Sequence, residues 1–221
     1  LRIEVDMYAD PRSVCEAFAD FMHRLQDFRG NSESYYDPRN SYLNDVIDTR
    51  RGIPISLSIV YLEVARRAGL KLAPVSFPGH FLIKYAGGED DGIFIDPYND
   101  GQVISVDGCR KLLEKGFGGH IAFKDSLLGA ATKRQVISRM LMNLKSIYLR
   151  GQDFPRALRM IELLTTVTPW DIEQIRDRGL IQYRLGNIDK AISDLQTYTE
   201  HAPPGPARTT VEETLRRIAS R

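Results

Sequence analysis

A period of 34 residues runs through the last third of the chain, and it restricts that region to stacked pairs of helices. Ala157 falls in step with Ala191, and Pro169 with Pro203. Leu141 matches Ile175, Ile161 matches Leu195 and Leu164 matches Tyr198. Lys145 matches Gly179, the small position where the two helices of a repeat approach, and Tyr148 is in step with Gln182, with Tyr183 one residue on. The spacing predicts two repeats, about 138–169 and 172–203, and a final helix near 209–218. Glu212, Glu213, Arg216 and Arg217 suit a capping helix with a wet outer face. Such a stack either binds a protein or peptide partner, with Tyr148 and Tyr183 as candidate contacts, or braces the rest of the chain. The sequence leaves both open.

The rest of the 221 residues form a different kind of module. The expected division is 1–125 and 126–221, with the glycine-rich stretch 116–129 as the boundary region. A hydrophobic share of 43% and a charged share of 27% are those of an ordinary globular protein, so a packed core is expected. Thirty basic against 29 acidic residues give no bulk charge for nucleic acid or an anionic membrane. Cys15 and Cys109 are the only cysteines, too few for a disulfide scaffold or a four-cysteine zinc site. No metal or cofactor is expected, and a reducing, cytoplasmic setting is. No run of 18 apolar residues predicts a membrane span, and no signal-peptide pattern opens the chain.

Val14, Phe18, Phe21, Met22 and Leu25 predict a helix over 12–28, with Asp10 and Pro11 as cap and first turn and Cys15 as a small buried side chain. A loop over 30–38 leads to a short helix over 41–50, with Asn40 as its cap and Leu43, Val46 and Ile47 inward. Tyr36 and Asn44, with Tyr35, Asp37 and Arg39, could line a pocket, although turn and cap chemistry explains several of them equally well. Gly52 breaks that helix, and Pro54 suits the first turn of the next. The run from Ile55 to Ala68 is apolar nearly all round, so it predicts a buried helix, ended by Gly69. Strands over 72–77 and 81–85, parted by Pro78-Gly79, and over 93–96 and 103–105 supply a sheet to cover it. The acidic tip Gly87-Gly88-Glu89-Asp90-Asp91-Gly92 lacks the ligand spacing of a calcium loop and reads as a solvated hairpin turn. Asp107 caps a predicted helix through Lys115 that carries Cys109, Leu112 and Leu113.

This order places a helix start, then a histidine (His80), then an aspartate (Asp96) on neighbouring elements. It is the layout of a Cys-His-Asp hydrolase or transferase, in which the thiol sits at the helix tip, the imidazole moves its proton and the carboxylate orients the imidazole. Here Pro54 stands where the nucleophile belongs and has no heteroatom in its side chain. Ser56 is two residues on, about 200° round the helix. Ser58 shares the face but lies about 6 Å deeper; it could bond to His80, or back to the carbonyl four residues earlier. His80 is either a base or a strut tied to Asp96.

Asp37-Pro38-Arg39-Asn40-Ser41-Tyr42-Leu43, Arg51-Gly52-Ile53-Pro54-Ile55-Ser56-Leu57-Ser58, Tyr61-Leu62-Glu63-Val64-Ala65-Arg66, Phe77-Pro78-Gly79-His80-Phe81 and Phe94-Ile95-Asp96-Pro97 together resemble the bacterial SirB family, named as an invasion-gene regulator. That family is transglutaminase-like, and the tail resembles the tetratricopeptide repeat. The resemblance implies an α+β, papain-like core, a central helix on an antiparallel sheet, followed by an all-α repeat region. It places Pro54 at the Cys position, His80 at the His position and Asp96 at the Asp position. The expectation is a catalytically degenerate transglutaminase-like protein that acts as a binding, adaptor or regulatory protein. The alternative is a hydrolase or acyltransferase working on amide bonds with His80, Asp96 and either Ser58 or water.

Overall fold

The computed structural model describes residues 10–88 and 92–220. Glu89, Asp90 and Asp91 of the acidic tip lie outside the described residues.

Asp10 caps α1 (Pro11–Asp20), its carboxylate accepting from the backbone N–H groups of Arg12 and Ser13. The predicted single helix does not run on to 28. It widens into a π turn over Phe21–Leu25, where the Gln26 N–H reaches the Phe21 carbonyl. The wider turn rotates Leu25 out of the core, leaving it 71% exposed, while Phe18 and Met22 stay buried.

The chain then pairs β1 (Arg29–Gly30) in parallel with β2 (Arg51–Gly52). Between them run a 3-10 turn, Pro38–Ser41, capped by Asp37, and α2 (Leu43–Thr49). Asn40 does not cap α2. Its amide donates to the Ser34 carbonyl and its side-chain oxygen accepts from Asn31, so it organises the preceding loop instead. Val46 faces the core, whereas Ile47 is about half exposed.

Pro54 opens α3 (Pro54–Arg67). Ser56 Oγ accepts from the Ile53 N–H at 3.1 Å and donates to the Asn40 carbonyl at 2.6 Å, closing the first turn from within. Ile55, Leu57, Val60, Tyr61 and Ala65 are all buried. Ala68 ends the helix and Gly69, at φ +81, turns the chain away. Four antiparallel strands follow in the order β3 (Leu72–Val75), β4 (Leu82–Tyr85), β5 (Phe94–Asp96) and β6 (Gln102–Ile104). Val75 pairs with Leu82, Ile83 with Ile95 and Asp96 with Gln102. Alternation divides these side chains between two cores. Ile83 and Ile95 join Leu57, Val60 and Tyr61 of α3. Val75, Leu82 and Phe94 join Cys109 and Leu113 of α4 (Val106–Phe117). Each such large side chain, wholly buried, contributes about 1.5–3 kcal/mol. Ser105 caps α4 by accepting from the Gly108 N–H; Asp107 lies in the first turn and pairs with Lys111.

The repeat region is α5 (Lys133–Arg150), α6 (Phe154–Val167), α7 (Ile172–Arg184), α8 (Ile188–His201) and α9 (Pro206–Ala219). The chain divides into two compact units that meet between Val136 and Ile137. Ala157 and Ala191 are wholly buried. At Gly179 a Cβ would lie 2.8 Å from the Leu195 side chain, which is why the position is small. One repeat earlier, Lys145 takes that position. It is 5% exposed, and its Nζ donates to Gln174 Oε1 at 2.7 Å and to the carboxylate of Asp177. A buried ammonium without its carboxylate is costly, whereas an apolar replacement of similar volume is tolerated. Asp177→Ala is therefore expected to destabilise the chain by about 2 kcal/mol, less than a fully buried pair because Asp177 is partly exposed. Lys145→Met should cost less than half of that, and the double variant should resemble Lys145→Met. Equal costs for the two single variants, read by urea unfolding, would show that the ammonium is solvated.

Candidate functional site

The tight turn Phe77–His80 delivers the imidazole. The His80 N–H bonds to the Phe77 carbonyl at 3.1 Å, and Gly79 takes φ +72. Asp96 is the last residue of β5, and Pro97 stops the strand so that the chain folds back over the carboxylate. Asp96 Oδ1 accepts from the backbone N–H groups of Tyr98 at 3.2 Å and Asn99 at 3.3 Å. Oδ2 accepts from Asn99 Nδ2 at 2.7 Å and lies 3.0 Å from His80 Nδ1. Four donors thus surround a carboxylate that is 1% exposed. With the carboxylate as acceptor, Nδ1 carries the hydrogen and Nε2 presents its lone pair. Among the described residues Nε2 has no hydrogen-bond partner, and the ring lines an open cleft of about 430 Å³ with Asn99, Gln102, Leu112, Lys115 and Gly116.

None of the other candidates is hydrogen-bonded to His80 or Asp96. Pro54 is buried at the start of α3. Ser58 is wholly buried and donates to the Phe81 carbonyl at 2.9 Å, a partner neither sequence alternative named. Its hydroxyl hydrogen thus goes to a backbone oxygen and not to a base. Cys15 and Cys109 are free and buried, and burial pushes their thiols up to about 11 and about 12. Tyr36 is about half exposed and meets Tyr35 edge to face; Tyr35 in turn meets Tyr98, two residues beyond Asp96. Asn44 is exposed on α2 and donates to Asp45. In the repeat unit Tyr148 is 5% exposed and packs with Leu144, Ala157 and Met160. Tyr183 packs against the Leu195 and Tyr198 cluster, with the Arg217 guanidinium over its ring. The structure therefore brings together His80 and Asp96, and adds Asn99, Gln102 and Lys115. Only Asn99 carried a local signal, an amide three residues after an Asp-Pro turn.

Among the described residues no three His, Cys, Asp or Glu side chains converge as a metal site requires, and no helix is long and apolar enough to cross a membrane.

The profile of the transglutaminase-like superfamily matches residues 1–142, and that of the tetratricopeptide repeat matches residues 144–216. A UPF0162 protein of Xylella fastidiosa (strain Temecula1 / ATCC 700964) is 40% identical over 187 residues, 83% of this chain and 66% of its own length. The chain thus spans just under two thirds of that relative. A UPF0162 protein of Vibrio cholerae is 34% identical over 198 residues, 90% of this chain and 73% of its own. F-box only protein 21 of Homo sapiens is 31% identical over 183 residues, 78% of this chain and 28% of its own. No solved structure matches. A buried helix packed with an antiparallel sheet, a histidine and aspartate paired at that sheet's strand ends and a run of helices in the C-terminal unit agree with these matches: the chain belongs to the transglutaminase-like superfamily, among the UPF0162 proteins, and carries a tetratricopeptide region.

Proposed function

We propose that this chain is a SirB-type, catalytically degenerate member of the superfamily. It acts in the cytoplasm as a binding and regulatory protein, through the His80 cleft and the tetratricopeptide region, on a protein or peptide partner. The observation that carries this reading is the chemistry at the start of α3. Pro54 supplies no heteroatom, Ser56 is committed to the Asn40 carbonyl and Ser58 to the Phe81 carbonyl. An imidazole with no thiol or hydroxyl to deprotonate cannot start acyl transfer by the covalent route.

A second reading rests on one feature. Asp96 holds Nδ1, which leaves Nε2 open to the cleft, the arrangement of a general base acting on water. One assay separates the two. The full chain is incubated with dimethylcasein and a fluorescent primary amine, with released ammonia measured in parallel. Incorporation and ammonia are expected at the level of a blank, and unchanged in His80→Ala. Turnover that disappears in a folded His80→Ala variant would establish the hydrolase or acyltransferase instead.

A further inference from the structure

The geometry points to a carboxylate as the group the His80 cleft takes, carried on an acidic side chain of an extended peptide; this inference rests on the binding reading above. Its basis is the charge left over on α4. Lys111 is paired with Asp107, four residues earlier, and the Arg110 guanidinium lies 4.5 Å from the centre of the Phe123 ring. Lys115 has neither kind of partner among the described residues. Positions three and four before it on the helix are Leu112 and Lys111, and those after it are Gly118 and Gly119, so no carboxylate is within intrahelical reach. Lys115 lies in the last helical turn and lines the same cleft as His80.

The other walls do not neutralise that charge. Asn99 and Gln102 are neutral amides, and Leu112 and Gly116 are apolar. The one acid behind the wall, Asp96, is 1% exposed and already ringed by four N–H donors. Among the described residues the lining therefore carries the Lys115 cation and no acidic side chain. A carboxylate placed there takes a charge-assisted hydrogen bond from Lys115 Nζ and another from the Gln102 amide. Leu112 and the methylenes of Lys115 give the stem of a glutamate an apolar wall. The cleft, about 430 Å³, is in the range of small-ligand sites. A neutral glutamine side chain of the same shape would leave Lys115 unpaired. The site thus prefers the acid over its amide isostere.

The test is an NMR titration of the full chain with acetyl-Ala-Ala-Glu-Ala-Ala-amide, its glutamine isostere and the glutamine peptide with a free chain end. The glutamate peptide is expected to shift the His80 ring, the Gln102 side-chain amide and Lys115 together. Its binding should be about tenfold tighter than that of the blocked glutamine peptide, as one charge-assisted contact provides. Lys115→Met, at an exposed position, should remove the preference, and Lys111→Met should keep it. Equal shifts from the two blocked peptides would overturn the inference, and so would binding that follows the free chain end alone. Release of ammonia from the glutamine peptide in the same tube would overturn the binding reading itself, whichever peptide is preferred.

Discussion

Asp96→Ala is expected to lower the stability of the folded chain by about 3–5 kcal/mol, the range for leaving buried polar groups without their partner. The carboxylate is the acceptor for His80 Nδ1, the Tyr98 and Asn99 backbone N–H groups and Asn99 Nδ2. Removing it leaves all four donors around a void with no oxygen in it. Each orphaned donor costs about 1–3 kcal/mol, and local opening of the 96–99 turn to water caps the sum below four times that. Asp96→Asn keeps the volume and one acceptor oxygen but turns an NH₂ toward donors, so an intermediate loss is expected. His80→Ala removes a single donor from a carboxylate that retains three, and the net loss is about 1 kcal/mol. Urea unfolding of the three variants should give that order. A His80→Ala loss as large as that of Asp96→Ala would mean the carboxylate serves the imidazole and not the turn, and would favour the catalytic reading.

The elements legible in the sequence are those whose burial repeats along the chain. The run from Ile55 to Ala65 is largely apolar, and α3 is buried along its first two turns, with Glu63, Arg66 and Arg67 opening its far end to solvent. Strands β3 to β6 fall within about two residues of their predicted ends, because Gly and Pro mark the turns between them. The 34-residue period places α6 to α9, since Ala157, Ala191 and Gly179 are small where helices touch. Three features were not legible, each because a distant partner decides it. The π turn at Phe21–Leu25 changes which carbonyl each N–H meets, and no side chain announces that. Asn40 is a plausible cap by type, yet Ser34 and Asn31 lie nearer to it once the loop closes. Ser105 and Asp107 could both cap α4, and the strand end at Ile104 puts Ser105 at the start. The site divides in the same way. His80 and Asp96 each follow or precede a Pro-marked turn and could be read locally. Gln102 reaches the cleft through its pairing with Asp96, and Lys115 through the packing of Cys109 and Leu113 under the sheet; both are tertiary facts.

Pro54→Cys is expected to create a fast-reacting thiol in a chain that otherwise has none. The substitution suits the backbone. Position 54 is the first residue of α3, where the N–H that cysteine restores has no intrahelical partner to disturb, and Ser56 still closes the turn. A thiolate there gains from the positive end of a 14-residue helix. The native background is nearly silent. Cys15 and Cys109 are 2% and 0% exposed, and thiols pushed up to about 11 and about 12 hold only about one part in ten thousand or less as thiolate at pH 7. Iodoacetamide should therefore label one thiol per Pro54→Cys chain at least about a hundred times faster than it labels the native protein. If the tip of α3 and the imidazole share one site, adding His80→Ala to Pro54→Cys slows labelling about tenfold, because the thiolate loses its proton acceptor. Labelling indifferent to His80 would separate the two and remove Pro54 from the nucleophile position. A thiol at 54 that iodoacetamide never reaches would mean that the helix tip is sealed from the cleft, and that His80 faces solvent for binding alone.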